Sequence, residues 1–355
     1  MFVRVNAYSG MRSASVLCAA LALAGPLAAQ SHIPLDFRDS VPAWLAEAHV
    51  PGLVVAVLEG GKIRSIQSFG ELRPGMQMSP RALFNVASLT KPVVAITTLE
   101  LADAGLLNLD ESLDRDWIDP DVRNDPRHSQ LTARLILSHQ TGFPNWRHES
   151  PTEKLGFLFD PGTRFGYSGE GFEYLRRALE HRFGRSLQQL SDSVLFRPLH
   201  MSETSYGWNP RIDTASFAFG HDTLGARVSA AMRTSDRPNA ADWLVTSIGD
   251  YARFAEYVLA GARLSKATFA NMSRAQVQLA GKPGESMGLG WEVMRGPPED
   301  STILLHTGAD EGIRTLIILL PESQRGLVLF TNGERGMDVI MKILKPTLRM
   351  KELTP

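Results

Sequence analysis

The chain has 355 residues, of which 43% are hydrophobic and 21% are charged. That composition is typical of a globular protein with a large core and excludes a disordered or fibrous chain. Basic residues number 37 against 38 acidic ones, so no excess of positive charge indicates a nucleic-acid partner or an anionic membrane surface. The length allows one large domain or two of ordinary size.

The N-terminal residues have the order of a secretory signal. Arg4 and Arg12 precede an apolar run at residues 16–24, and small residues follow up to Ala29. That run is too short to span a bilayer as a helix. We therefore expect a signal over residues 1–29, no transmembrane anchor, and a periplasmic or secreted protein.

The single cysteine, Cys18, lies inside this predicted signal. The remaining chain, residues 30–355, then has no thiol for a disulfide, a thiolate metal site or a cysteine nucleophile. Its histidines form no His-Glu-x-x-His motif and no close cluster with acidic residues, so we expect no catalytic metal.

The first elements after the signal are two β-rich segments, residues 53–58 and 62–69, on either side of Glu59-Gly60-Gly61. Two such runs across a glycine turn predict a β-hairpin.

Ser88-Leu89-Thr90-Lys91 is the only Ser-x-x-Lys of the chain, and it stands where an extended segment, residues 82–87, meets a helix predicted from Ser88 to Ala104. Residues three apart in a first helical turn share a face, so the hydroxyl of Ser88 can face an amine able to take its proton. The alternative, taken from these residues alone, is that Ser88 caps the helix and Lys91 is a solvated surface lysine.

Residues 105–245 have a mainly helical pattern, with helices predicted at 132–138, 171–182 and 187–194, and another follows at 248–259. Within this region Tyr167-Ser168-Gly169 comes after a Pro-Gly turn and directly before a predicted helix. A phenol can carry protons when neighbouring cations depress its pKa, and Lys91 would be such a cation. A tyrosine on a turn can equally be a packing residue.

Residues 284–288 spell Gly-Glu-Ser-Met-Gly, the pattern of an α/β-hydrolase elbow, and Asp300 and His306 follow it in the order of a triad. That motif requires a buried strand before the serine and a helix after it. Glycine and proline surround this stretch instead, so we interpret Ser286 as a loop residue.

Three apolar runs, residues 302–306, 314–320 and 326–331, end the chain and predict an antiparallel meander. His306-Thr307-Gly308 is predicted at the end of the first of these strands, and Ala309 follows. A small residue there can direct its backbone N–H at a developing oxyanion.

The order of elements is β, then α, then β. It predicts an α/β (α+β) fold in which both chain ends build one antiparallel sheet that helices flank, with an inserted, mainly helical region at 105–245. We find no repeat and no linker that would divide residues 30–355 into independent domains.

Three motifs follow one another along the chain: Ser-x-x-Lys at residues 88–91, Tyr-Ser-Gly at 167–169 and His-Thr-Gly at 306–308. Together they resemble the group of serine β-lactamases, penicillin-binding proteins, D-Ala-D-Ala carboxypeptidases and related esterases, closest to the class C type. The stretches 135–144, 195–201 and 288–291 agree with that resemblance, which runs from about residue 42 to residue 349.

The resemblance implies acylation of Ser88 followed by hydrolysis of the acyl-enzyme, with no cofactor. It implies that Lys91 is the proton partner of Ser88 and that Tyr167 passes the proton to the leaving group. The N–H groups of Ser88 and Ala309 would form the oxyanion hole. The residues implied to bind substrate are His306, Thr307, Gly308 and Gly169.

Two positions depart from the family's pattern. Gly169 stands where the family often has an asparagine that touches the substrate amide, and His306 stands where it often has a lysine. These departures favour a peptide, ester or D-amino-acid amide over efficient β-lactam turnover. The functions left open are a β-lactamase-related or D-Ala-D-Ala carboxypeptidase-type hydrolase, a carboxylesterase of the same fold, and a penicillin-binding receptor with low turnover.

Overall fold

The computed structural model describes residues 36–207, 213–228, 239–282 and 284–347. The predicted signal, residues 1–29, lies outside the described residues and stays a prediction. None of the helices within these ranges is both long and apolar enough to cross a bilayer.

The main sheet has nine strands in the described residues. They are β1 Gly52–Glu59, β2 Lys62–Arg73, β3 Met76–Gln77, β7 Val277–Gln278, β8 Glu285–Met287, β9 Glu292–Arg295, β10 Thr302–Asp310, β11 Ile313–Leu320 and β12 Arg325–Thr331. The strand order is β3-β2-β1-β12-β11-β10-β9-β8-β7, and each pairing is antiparallel. Leu53 lies opposite Thr331 and Leu58 opposite Gly326, so the first and last strands meet. The predicted sheet built from both chain ends is confirmed.

A second, three-stranded sheet has the order β4-β6-β5, formed by β4 Leu83–Asn85, β5 Ser205–Tyr206 and β6 Leu244–Ser247. The α-helices of the described chain are α1 Val41–Ala48, α2 Thr90–Asp103, α3 Ala133–Leu137, α4 Gly169–Phe183, α5 Leu187–Ser191, α6 Ile248–Leu259, α7 Lys266–Met272 and α8 Gly336–Thr347. Short 3₁₀ segments and a π-helical turn at Asp192–Phe196 connect them. The last residue of β4, Asn85, lies three residues before Ser88 in the chain.

Helices cover both faces of the main sheet. Alternate residues of β1 point to opposite sides, with Val54, Ala56 and Leu58 in the core beneath α2 and α6, and Leu53 and Val55 in the core beneath α1 and α8. Each such buried side chain of valine or leucine size contributes roughly 1.5–3 kcal/mol. Because neither face meets water, β1 is an unbroken apolar run without polar alternation.

The predicted start of the helix after Ser88 is wrong by two residues. Ala87–Leu89 form a 3₁₀ turn, and α2 begins at Thr90. The reason is local, since Ala87 has a φ of +50°, which a right-handed α-helix excludes.

Two predictions about strands are also corrected. His306, Thr307 and Gly308 lie inside β10, which continues to Asp310 because β11 pairs with it over that whole length. Glycine and alanine are poor strand formers, so sequence reasoning ended the strand too early. Ser286 lies on β8 and not in a loop, because β9 pairs with residues on both sides of it.

Candidate active site

Ser88 lies on a strained turn between β4 and α2. The side chain of Asn85 fixes this turn: its Oδ1 accepts a hydrogen bond from Ala87 N at 2.9 Å, and its Nδ2 donates to Asp310 at 2.8 Å. The left-handed backbone of Ala87 costs about 1–2 kcal/mol. Thr90 Oγ1 donates to Ala87 O at 2.6 Å and closes the turn. Ser88 is the one partly exposed residue between residues 82 and 90, which are otherwise buried.

The side chain of Lys91 is buried, with 1% of its surface exposed, and it is therefore not a surface lysine. Its Nζ donates to Ser88 Oγ at 3.0 Å and to the carbonyl of Ala241 at 2.7 Å. Burial lowers the pKa of Lys91 from its ordinary value of 10.5 to about 7, and the charge of Asp242 opposes this shift. A free amine is thus present near neutral pH, in contact with the hydroxyl it can deprotonate.

Tyr167 completes a cluster of three polar groups. Its hydroxyl donates to Ser88 Oγ at 2.9 Å, and the ring centroid lies 4.7 Å from Lys91 Nζ. Ser88 does not cap α2, since Leu89 holds the cap position and the Ser88 hydroxyl accepts from both neighbours. Tyr167 and Lys91 therefore contact the same hydroxyl, although 76 positions separate them in the chain.

Strand β10 lies against the Ser88 turn because residue 308 has no side chain. A Cβ on Gly308 would be 2.5 Å from Val86 O and 3.3 Å from Ala87 Cβ, and Thr315 Oγ1 on the next strand donates to Val86 O at 2.9 Å. The ladder between β9 and β10 ends at Leu305, so the edge of β10 beyond that residue is not paired with β9. Ala309 is exposed on this part of the strand.

His306 and Thr307 differ in exposure. The His306 side chain is 2% exposed, and its Nδ1 lies 2.8 Å from Thr307 O, whereas Thr307 is partly exposed. Burial, with a smaller contribution from Lys91, lowers the pKa of His306 to about 3. His306 is therefore a neutral imidazole at neutral pH and supplies no positive charge for a substrate carboxylate.

Gly169 is the first residue of α4, and the indole of Trp146 occupies the space where its side chain would be. A Cβ on Gly169 would lie 2.6 to 2.9 Å from three ring carbons of Trp146. Backbone and side-chain bonds hold the Trp146 segment: Gly169 N donates to Asn145 Oδ1, Glu170 N to Asn145 O and Arg147 N to Glu170 Oε1, each at 3.0 Å. An indole ring therefore occupies the side-chain position of residue 169, which is two residues after Tyr167 in the chain.

The fold places three residues here that belong to none of the three sequence motifs: Asn85, His139 and Trp146. The ring of His139 stacks on that of Tyr167 with the centroids 4.3 Å apart. His139 belongs to the 135–144 stretch that agreed with the family resemblance, which was the one available signal. The contact between His139 and Tyr167 cannot be predicted from the sequence, because 28 positions separate the two residues.

Ser286, the serine of the elbow-like motif, lies outside the Ser88 cluster, and its hydroxyl is hydrogen-bonded within the sheet. Ser286 is 5% exposed and donates its hydroxyl to Val293 O at 3.1 Å, and a second strand follows it where an elbow needs a helix. Asp300 is bound to Arg325 at 2.6 Å. In the described residues no group of three or more His, Cys, Asp and Glu side chains is arranged to hold a metal.

Known proteins resemble this chain over most of its length. The family model described as Beta-lactamase matches residues 37–343. "Protein flp" of Staphylococcus aureus (strain NCTC 8325 / PS 47) is 21% identical over 312 residues, which cover 81% of this chain and 61% of that protein. "Penicillin-binding protein 4*" of Bacillus subtilis (strain 168) is 25% identical over 334 residues, which cover 85% of this chain and 72% of that protein. The chain thus spans less than two thirds of the staphylococcal relative.

Solved structures share the fold. The octameric penicillin-binding protein homologue from Pyrococcus abyssi has a TM-score of 0.75 at 19% identity and covers 90% of this chain and 78% of its own. The D-alanine carboxypeptidase AmpC from Burkholderia cenocepacia has a TM-score of 0.72 at 18% identity and covers 88% of this chain and 99% of its own. The resemblance inferred from the three motifs is confirmed, and so is the α/β fold class.

Proposed function

The chain belongs to the Beta-lactamase family of serine hydrolases, and we propose that it hydrolyses its substrate through an acyl-enzyme on Ser88. One observation carries this proposal. Ser88 Oγ accepts hydrogen bonds from Lys91 Nζ at 3.0 Å and from Tyr167 OH at 2.9 Å, while burial brings the pKa of Lys91 to about 7. A hydroxyl in contact with a free amine and a phenol can lose its proton to one and return it through the other.

The proposed reaction uses each group once in each half. Neutral Lys91 takes the Ser88 proton as Oγ bonds to the substrate carbonyl carbon, and the N–H groups of Ser88 and Ala309 stabilise the oxyanion. Each such donor typically contributes about 10²- to 10³-fold in rate. Tyr167 protonates the leaving group as the scissile bond breaks, and Lys91 returns its proton to the phenolate. Water then attacks the acyl carbon through the same groups, and Ser88 regains its hydroxyl.

The substrate class we propose first is a D-alanyl peptide or a β-lactam-related acyl donor, bound along the edge of β10 beside Thr307 and Gly308. The β9 ladder ends at Leu305, so the edge of β10 beyond that residue has no partner in β9. An extended peptide can add to such an edge by main-chain hydrogen bonds. Neutral, buried His306 gives a substrate carboxylate no permanent charge, so a carboxylate of either substrate would be held here by hydrogen bonds and not by an ion pair.

Carboxylesterase activity is the second candidate, and Trp146 favours it. The indole fills the space at Gly169 from which a side-chain amide would reach a substrate amide. An apolar ring at this position suits the acyl or alcohol part of an ester, which has no N–H to satisfy.

Labelling tests the nucleophile. We expect a fluorophosphonate probe to label the wild type and not Ser88→Ala. Ser286→Ala is the matched control, because Ser286 carries the competing elbow-like motif, and it is expected to label like the wild type. Labelling that survives Ser88→Ala and disappears in Ser286→Ala contradicts the assignment.

Turnover then separates the substrate classes. Short-chain p-nitrophenyl esters, a D-Ala-D-Ala peptide and a chromogenic cephalosporin are assayed with wild type and Ser88→Ala. Turnover that depends on Ser88 identifies the class. A fluorescent penicillin adduct that persists without turnover of any of the three indicates a receptor with low turnover instead.

We also propose that the enzyme acts outside the cytoplasm, as the predicted signal at residues 1–29 implies. N-terminal sequencing of the exported chain is expected to find a start near residue 30. An intact N-terminus on cytoplasmic protein contradicts this location.

A further inference from the structure

His139 lies directly behind Tyr167. The two rings are stacked at an interplanar angle of 25° with their centroids 4.3 Å apart. His139 is 1% exposed, and the rings of Phe165 and Phe172 also pack against its imidazole, with ring centroids 5.9 and 5.2 Å away. The tyrosine ring therefore has a rigid support on the side away from solvent.

Hydrogen bonds join His139 to both residues that flank Tyr167. Gly166 N donates to His139 O at 2.8 Å, and Ser168 N donates to His139 Nδ1 at 3.1 Å. One residue thus fixes the backbone before and after the tyrosine and also supports its ring. The left-handed backbone of His139, with a φ of +54°, is part of this arrangement. A residue with a Cβ adopts this conformation at a cost, which the surrounding contacts must offset.

The hydrogen bond from Ser168 determines the state of the imidazole. Because Nδ1 accepts, the neutral ring carries its hydrogen on Nε2, which is buried and has no hydrogen-bond partner in the described part of the chain. A second proton on Nδ1 would set two N–H groups against each other. Burial lowers the pKa of His139 well below its usual range, and the nearby Lys91 and His306 add to this shift. The contact with Ser168 is therefore constant over the working pH range.

We propose that His139 is the positioning residue that holds the phenol of Tyr167 against Ser88. This inference rests on the proposed function and adds a residue that acts through Tyr167. Tyr167 stands outside any helix or strand, so its own backbone does not fix the 2.9 Å contact of its hydroxyl with Ser88 Oγ. A shift of about 1 Å in a reacting group can cost roughly 10²-fold in rate.

Two substitutions separate the contributions of His139. His139→Asn keeps an acceptor and tolerates a positive φ, and it loses the stacked ring. His139→Phe keeps a ring and loses the acceptor for Ser168 N. We expect kcat for a Ser88-dependent ester to fall by about 10²-fold in His139→Phe and by about tenfold in His139→Asn. KM is expected to stay within about threefold in both, because substrate does not touch His139.

His200→Phe is the matched control. His200 has nearly the same backbone, with a φ of +55°, but it is exposed and lies outside the Ser88 cluster. We expect His200→Phe to keep wild-type kcat, so that the backbone cost of phenylalanine at positive φ is separated from the loss of the Ser168 contact. Active-site titration with the fluorophosphonate corrects every rate for the folded fraction.

A double-mutant cycle tests whether His139 acts through Tyr167. His139→Asn is expected to lower kcat in the wild-type background and to have no further effect in Tyr167→Phe. Equal effects in both backgrounds, or an unchanged kcat in both His139 variants, overturn the inference even where activity still requires Ser88. Because the cycle uses the asparagine variant, it remains decisive if His139→Phe fails to fold. Activity that survives Ser88→Ala contradicts the proposed function and not only the role of His139.

Discussion

The buried amine of Lys91 predicts how activity depends on pH. With its ordinary pKa of 10.5, about one lysine in three thousand is a free amine at pH 7. Burial lowers the pKa of Lys91 to about 7, so about half of the molecules have the free base in contact with Ser88 Oγ. The fold therefore raises the fraction of Lys91 that is a free amine at pH 7 by roughly 10³-fold.

The same pKa shift also lowers the stability of the folded chain at neutral pH. Moving the pKa of a fully buried lysine from 10.5 to about 7 corresponds to roughly 5 kcal/mol against the charged form. The unfolded chain binds more protons than the folded chain between these two pH values. The free energy of unfolding is therefore expected to rise with pH from about 7 to 10.5, and the full cost is present below pH 7.

The assay is kcat/KM for a neutral p-nitrophenyl ester between pH 5 and 9, since this ratio reports the free enzyme. We expect a tenfold rise per pH unit below about 7 and a plateau above it. Asp242→Asn removes the charge that opposes the shift, so the midpoint is expected to move to lower pH.

Glu100→Gln is the control. Burial raises the pKa of the Glu100 carboxyl to about 7 as well, but nine residues of α2 place it about 13 Å along the helix from Lys91. A midpoint near pH 10 refutes the assignment of Lys91. So does a midpoint that Glu100→Gln moves and Asp242→Asn does not.

Three further predictions concern close packing at Gly308, substrate choice at Trp146 and a buried hydrogen bond at Asn332. Gly308→Ala puts a Cβ 2.5 Å from Val86 O and 2.2 Å from Thr315 Oγ1, so we expect a loss of about 1–3 kcal/mol in chemical denaturation and a lower kcat by steady-state kinetics. Trp146→Ala combined with Gly169→Asn replaces the indole by an amide, and the ratio of cephalosporin to ester turnover is expected to rise, whereas an unchanged ratio refutes a role for Trp146 in specificity. Asn332→Ala leaves Gly52 N without its 2.7 Å acceptor at the start of β1, and we expect a loss of about 1–3 kcal/mol in denaturation with kcat unchanged per titrated site.

The sequence by itself determined the fold class and the family. The apolar runs of β1 and of β10 to β12 are long and lack alternation, which is the pattern of strands covered on both faces, and turn residues separate them clearly. Ser88, Lys91 and Tyr167 could be singled out because their spacing and order form local motifs. Local patterns suffice for these conclusions since hydrophobic periodicity and motif spacing are properties of neighbouring residues.

Only the tertiary structure decided what surrounds those groups. The burial of Lys91, its bond to Ala241 and the support of Tyr167 by His139 join residues that are 28 to 150 positions apart. The same holds for Trp146, which excludes a side chain at Gly169. A pKa depends on desolvation and on nearby charges, and these exist only once the chain has closed around the amine. The pKa values and contacts of the candidate site therefore depend on packing, whereas Ser88, Lys91 and Tyr167 can be identified from the sequence.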